Sequence, residues 1–64
     1  MDIETIHESL VNGQRRQMVK QIEECVLYDF WEDYKEYLTG LYDTQAAWGY
    51  FTDATISYFR ITNR

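Results

Sequence analysis

Any chemistry in this chain has to start from a few side chains. Glu4-Thr5-Ile6-His7 has the E-x-x-H spacing that puts a carboxylate and an imidazole on one helix face, as di-iron bundles require. Such a site needs two of these motifs and two further Glu from other helices, and the chain has one motif and one histidine. No metal site is expected, and His7 reads as an exposed residue on a short helix. Cys25 is the sole thiol. A nucleophilic thiol needs a base or a positive field, whereas the sequence neighbours of Cys25 are Glu23 and Glu24, which favour its protonated form. It reads as a small buried apolar residue. Carboxylate pairs abound, but 64 residues leave little room for a pocket of the usual ~300 Å³ or more. Gly13, Gly40 and Gly49 are too scattered to form a phosphate-binding loop. No catalytic residue and no cofactor is expected, and the chain does not read as an enzyme.

The elements that position these residues must be helices, because the apolar spacing is helical nearly throughout. Ile3, Ile6 and Leu10 mark a first segment, with Asp2 as its cap and Glu4 in the first turn, where the helix dipole favours an acid. Asn12-Gly13 then marks a stop or a bend. Val11, Met18, Ile22, Cys25 and Val26 form a second stripe, rotated by roughly 90° from the first if one helix ran through at 100° per residue. A bent or interrupted helix fits this best. Arg15, Arg16 and Lys20 oppose the dipole of a helix starting afresh at Gly13, which argues for continuity.

The stretch from Asp29 to Tyr42 carries the densest information. Asp29-Phe30-Trp31-Glu32 has capping-box spacing. Phe30, Trp31, Tyr34, Tyr37, Leu38 and Leu41 fall on one side, and Gly40 stands where a C-cap is expected. Asp43 or Thr44 then caps a last helix over about Gln45 to Ile61. There Ala47, Phe51, Ala54, Tyr58 and Ile61 form one stripe and Trp48, Thr55 and Phe59 another. The strand-forming run Thr55 to Thr62 has no mate elsewhere, so helix is preferred there. The expected fold is all-α: one domain, residues 1–64, a small bundle of three to four roughly antiparallel helices.

Size and charge restrict the function. A chain this short buries only roughly 60% of its unfolded surface, and self-association or a partner often supplies the rest. One cysteine excludes an internal disulfide and fits a reducing cytoplasm. The acidic start, Met1-Asp2-Ile3-Glu4, lacks the features of a secretory leader, and no apolar run approaches the ~20 residues of a membrane span. Eleven acids against six bases give a net charge of −5, which disfavours direct contact with nucleic acid or anionic membrane. A helix-turn-helix reading through Arg15, Arg16 and Lys20 is weak for the same reason.

Two excesses remain. Glu23, Glu24, Asp29, Glu32, Asp33 and Glu36 place six acids in fourteen residues, with Lys35 the one base among them. Like charges at helical spacing repel, so the run is either a solubilised face or a surface kept for a basic partner. Eleven of 64 residues are aromatic, Tyr28, Tyr34, Tyr37, Tyr42, Tyr50 and Tyr58 among them, more than so small a core can hide. The last helix is apolar on two sides, and a second side is normally covered by something.

The segment Leu10-Val11-Asn12-Gly13-Gln14-Arg15-Arg16-Gln17-Met18, followed by Tyr28-Asp29-Phe30-Trp31, resembles small accessory proteins of bacteriophages and mobile elements. The likeness spans about half the chain and carries no functional residue with it. In compactness and acidity the chain is similar in type to anti-CRISPR and anti-restriction inhibitors, many of which occlude a nucleic-acid-binding surface. The reading is then a small, acidic, cytoplasmic, non-catalytic inhibitor. Glu24, Asp29, Glu32, Asp33 and Glu36 would meet a basic surface of a host defence or nucleic-acid-processing complex. Trp48 and Phe59 would anchor it, with Tyr42 at the rim. The alternative is a structural homodimer or adaptor, its acids merely solubilising and Trp48 and Phe59 packed across a two-fold axis.

Overall fold

A computed structural model describes residues 2–25 and 29–63. Val26 and Tyr28, assigned above to the second apolar stripe and to the aromatic excess, lie outside them. Among the described residues four helices follow one another: α1 (Ile3–Val11), α2 (Arg15–Glu23), α3 (Phe30–Leu41) and α4 (Thr44–Thr62). The strand-forming tail is helical through Thr62. The fold is a small all-α bundle in which α1 packs on α2 and α3, and α4 packs on α2 and α3. No helix among the described residues is long and apolar enough to cross a membrane.

Three of the four helices start on an aspartate. The carboxylates of Asp2, Asp29 and Asp43 accept from the backbone N–H groups of Glu4, Glu32 and Ala46, at 3.1, 3.4 and 2.8 Å. Each satisfies a donor that the first turn leaves without an intrahelical partner, worth roughly 1 kcal/mol.

At Asn12-Gly13 the helix ends outright and does not bend. Gly13 takes φ +80°, its N–H donates to the Leu10 carbonyl (3.1 Å), and the Gln14 N–H reaches back to Ser9 (2.8 Å). This pair of bonds is the Schellman closure, which needs a left-handed residue that glycine supplies without a Cβ clash. The basic start of α2 therefore does not keep the helix continuous. α2 starts on Arg15 and Arg16 with no side-chain cap, and Arg15 finds compensation on α4 instead.

The core comprises Ile6, Leu10, Met18, Val19, Ile22, Phe30, Tyr34, Leu38, Ala47 and Ala54. Ile3, Cys25, Trp31, Tyr37, Tyr42, Tyr50, Phe51, Tyr58 and Ile61 are partly buried against it. Two stripe residues depart from expectation: Val11 and Leu41 are exposed. Each is the last residue of its helix, where the chain turns away before the stripe can reach the core. Gly40 also differs, since it lies inside α3 and the C-cap is Tyr42 in extended backbone.

Candidate functional site

His7 is buried, not exposed as its place on a short helix suggests. Its Nδ1 lies 2.8 Å from the Tyr34 hydroxyl and its Nε2 2.8 Å from that of Tyr42. A neutral imidazole donates through one nitrogen and accepts through the other, so one phenol accepts and the other donates. The rings of Tyr34, Tyr37, Tyr42 and Tyr50 surround it at 5.0–5.8 Å. Burial pushes the imidazole below its ordinary pKa, against the weaker opposing pull of Glu8. Burial also raises the Tyr34 phenol, with Tyr42, Tyr37, Asp53 and Tyr50 adding to it. The spacing carries a signal of this burial: residues 3, 6, 7 and 10 complete an i, i+3, i+4, i+7 stripe, and His7 stands inside it. Both ring nitrogens are engaged by phenols, and Glu4, the other half of the E-x-x-H motif, is exposed.

Tyr42 therefore belongs to this cage. It is half-buried, with its ring 4.8 Å from that of Tyr50 and its hydroxyl on His7. Trp48 and Phe59, by contrast, are 54% and 61% exposed, and Ile56 on the same helix is 50% exposed. Trp48, Thr52, Thr55 and Phe59 recur at spacings of four, three and four along α4, so they fall on one line of that helix.

All five acidic candidates stand on the surface. Asp29, which caps α3, and Glu32 and Glu36 on it are exposed, Asp33 is partly buried, and Glu24 is the exposed C-cap of α2. Tyr37 turns toward α1, where Asp2, Glu4 and Glu8 add to the effect of burial in raising its phenol. Lys35 and Thr39 turn toward α4 and line a small apolar cleft with Trp48 and Phe51. At about 100° per residue, Asp29 and Glu36 point outward between these two sides, Asp33 leans toward Tyr37 and Glu32 toward Thr39. The carboxylates and the exposed rings thus occupy outer faces of neighbouring helices, with Lys35 on the border.

Among the described residues a single ion pair occurs. Arg15 grips Asp53 with both guanidinium nitrogens, at 2.8 and 3.2 Å, and also donates to Ser57 at 2.7 Å. Of the eleven acids, Asp2, Asp29 and Asp43 cap helices and Asp53 holds Arg15. Glu4, Glu8, Glu23, Glu24, Glu32, Asp33 and Glu36 are left with no side-chain bond inside the described residues.

The α3–α4 cleft holds about 40 Å³, little more than a water-sized group occupies. Two larger grooves, near Gly13–Gln17 and near Arg15, Asp53 and Arg60, are open to solvent. No protein-family model, curated protein or solved structure matches the chain.

Proposed function

We propose that this is a small non-catalytic binding protein that recognises a basic protein surface through its carboxylate belt. It would act in the cytoplasm of a host cell as a phage-type inhibitor, occluding a nucleic-acid-binding site of a defence or nucleic-acid-processing complex. One observation carries this reading: among the described residues the acids that make side-chain bonds are aspartates at caps or in the Arg15 pair, and the remaining seven make none, although Glu4, Glu32 and Asp33 stand in first turns where the helix dipole favours an acid. Four of the five proposed contact residues, Glu24, Glu32, Asp33 and Glu36, belong to that unbonded set. Asp29 is shared, since it also caps α3. Spaced carboxylates on a helix can occupy a groove built for phosphates, and complementary charge steers the encounter.

The test is capture from a bacterial lysate by immobilised wild-type chain and by the double variant E32K/D33K, with duplex DNA as competitor. The wild type is expected to retain a nucleic-acid-binding protein that DNA displaces and the double variant does not hold. Equal retention by both chains, or retention that DNA leaves unchanged, would remove the proposal.

A further inference from the structure

We infer that the outer face of α4 is a self-association surface, in which two copies pack antiparallel about a two-fold axis with Trp48 of each against Phe59 of the other. This goes beyond the carboxylate reading and stands or falls separately from it.

The register follows from the spacing. The order Trp48, Thr52, Thr55, Phe59 is palindromic in its steps of four, three and four. Reversing a second α4 about the midpoint between Thr52 and Thr55 brings ring to ring at both ends and threonine to threonine at the centre. Such self-matching is what a two-fold interface requires of one surface. Thr55 suits the position, because its hydroxyl already donates to the Phe51 carbonyl at 2.8 Å and leaves its methyl to pack.

Charge agrees with a second copy as the occupant. Asp53 and Arg60 are the charged residues of α4. Both lie with Ser57 along the groove that Arg15 of α2 shares, more than a quarter-turn round from the Trp48–Phe59 line. A basic partner would be met by acids, and this line has none. Two negative copies would avoid meeting on charge, and this line is uncharged.

Area sets the scale. Full burial of an aromatic side chain removes about 150–250 Å² from water, so Trp48 and Phe59 leave about 250 Å² of apolar surface per copy, while Ile56 lies round toward the Asp53–Arg60 groove. Two copies bring about 500 Å², the apolar share of an interface near ~800 Å² at the ~65% typical of homodimers. That is below the size of most stable interfaces and implies a weak dimer.

Sedimentation equilibrium of the full chain from about 1 to 100 μM tests this. The expected result is a dimer of twice 7.8 kDa forming across that range, with its dissociation constant raised at least about tenfold in F59D and in W48A. Both substitutions fall at exposed positions, and circular dichroism checks that the helices remain. A wild type that stays monomeric at the highest concentration, or a dimer that ignores both substitutions, would overturn the inference. Register is checked by oxidising an equimolar mixture of T52C and T55C chains in a C25S background. The mixed disulfide should dominate, and a T52C chain that links mainly to itself would refute the antiparallel arrangement.

Discussion

His7 shows how one side chain can join three parts of this molecule. It sits on α1, bonds Tyr34 of α3 and the α3 cap Tyr42, and packs edge-on against Tyr50 of α4. Because burial holds its pKa below the ordinary value, the folded chain keeps it neutral at pH 7. The unfolded chain takes up a proton near pH ~6.5. Between that pH and the lower folded-state pKa, protons favour the unfolded form, so stability falls as pH drops through this window and levels off below it. Urea denaturation from pH 7.5 to 5 should show this loss as a wild-type-specific term, absent from H7F, which has no titrating ring. H7F itself should be less stable by about 1–2 kcal/mol at pH 7.5, since it strands the buried Tyr34 hydroxyl. A difference between the two proteins that does not vary with pH would rule out the neutral, buried imidazole. The helix carrying His7 was readable from Ile3, Ile6 and Leu10, but its partners lie 27 and 35 residues away. No local pattern announces a contact over that distance.

At the scale of the element, α2 is the helix whose own sequence argues against it. Arg15 and Arg16 stand at its start and oppose the macrodipole, and at its end Lys20 in the last turn offsets part of the repulsion from Glu23 and Glu24, each end costing up to ~1 kcal/mol. Packing of Met18, Val19 and Ile22 holds it in place. The half-exposed Arg15–Asp53 pair adds at most about 1 kcal/mol after screening by solvent. The Schellman closure at Gly13 fixes its entry. G13A meets no neighbouring atom but forces a Cβ into φ +80°, which costs about 1–2 kcal/mol, partly offset by the stiffer unfolded chain. A loss near 1 kcal/mol in the urea-derived unfolding free energy is expected; no loss would mean that the turn is not left-handed. The aspartate caps of α1, α3 and α4 were legible because capping is settled within three residues. The break before α2 was only half legible, because what offsets its unfavourable start is Asp53 on another helix.

Across the whole molecule, a short chain has divided its residues between fold and surface. Nine-residue helices such as α1 and α2 are too short to persist alone, so the bundle depends on the aromatic-rich wall that α3 and α4 present. Of the aromatics in the described residues, only Trp48 and Phe59 are left outside. The aromatic excess was therefore readable, although which rings would be covered was settled by tertiary packing. The acidic excess was equally plain in the sequence. What the sequence could not separate was the carboxylates that cap helices or pair with Arg15 from those that make no side-chain bond. The part of the unbonded set along α3 and at the end of α2 (Glu23, Glu24, Glu32, Asp33 and Glu36) is the basis for reading this chain as a ligand for a basic surface, while Glu4 and Glu8 stand apart on α1. Its most direct test is the association rate of a captured partner with wild type and with E32K/D33K between 50 and 300 mM salt. Electrostatic steering by the belt predicts a wild-type rate that drops at least about tenfold over this range, and a slower, nearly flat rate for the double variant. Identical rates with identical salt dependence would contradict it.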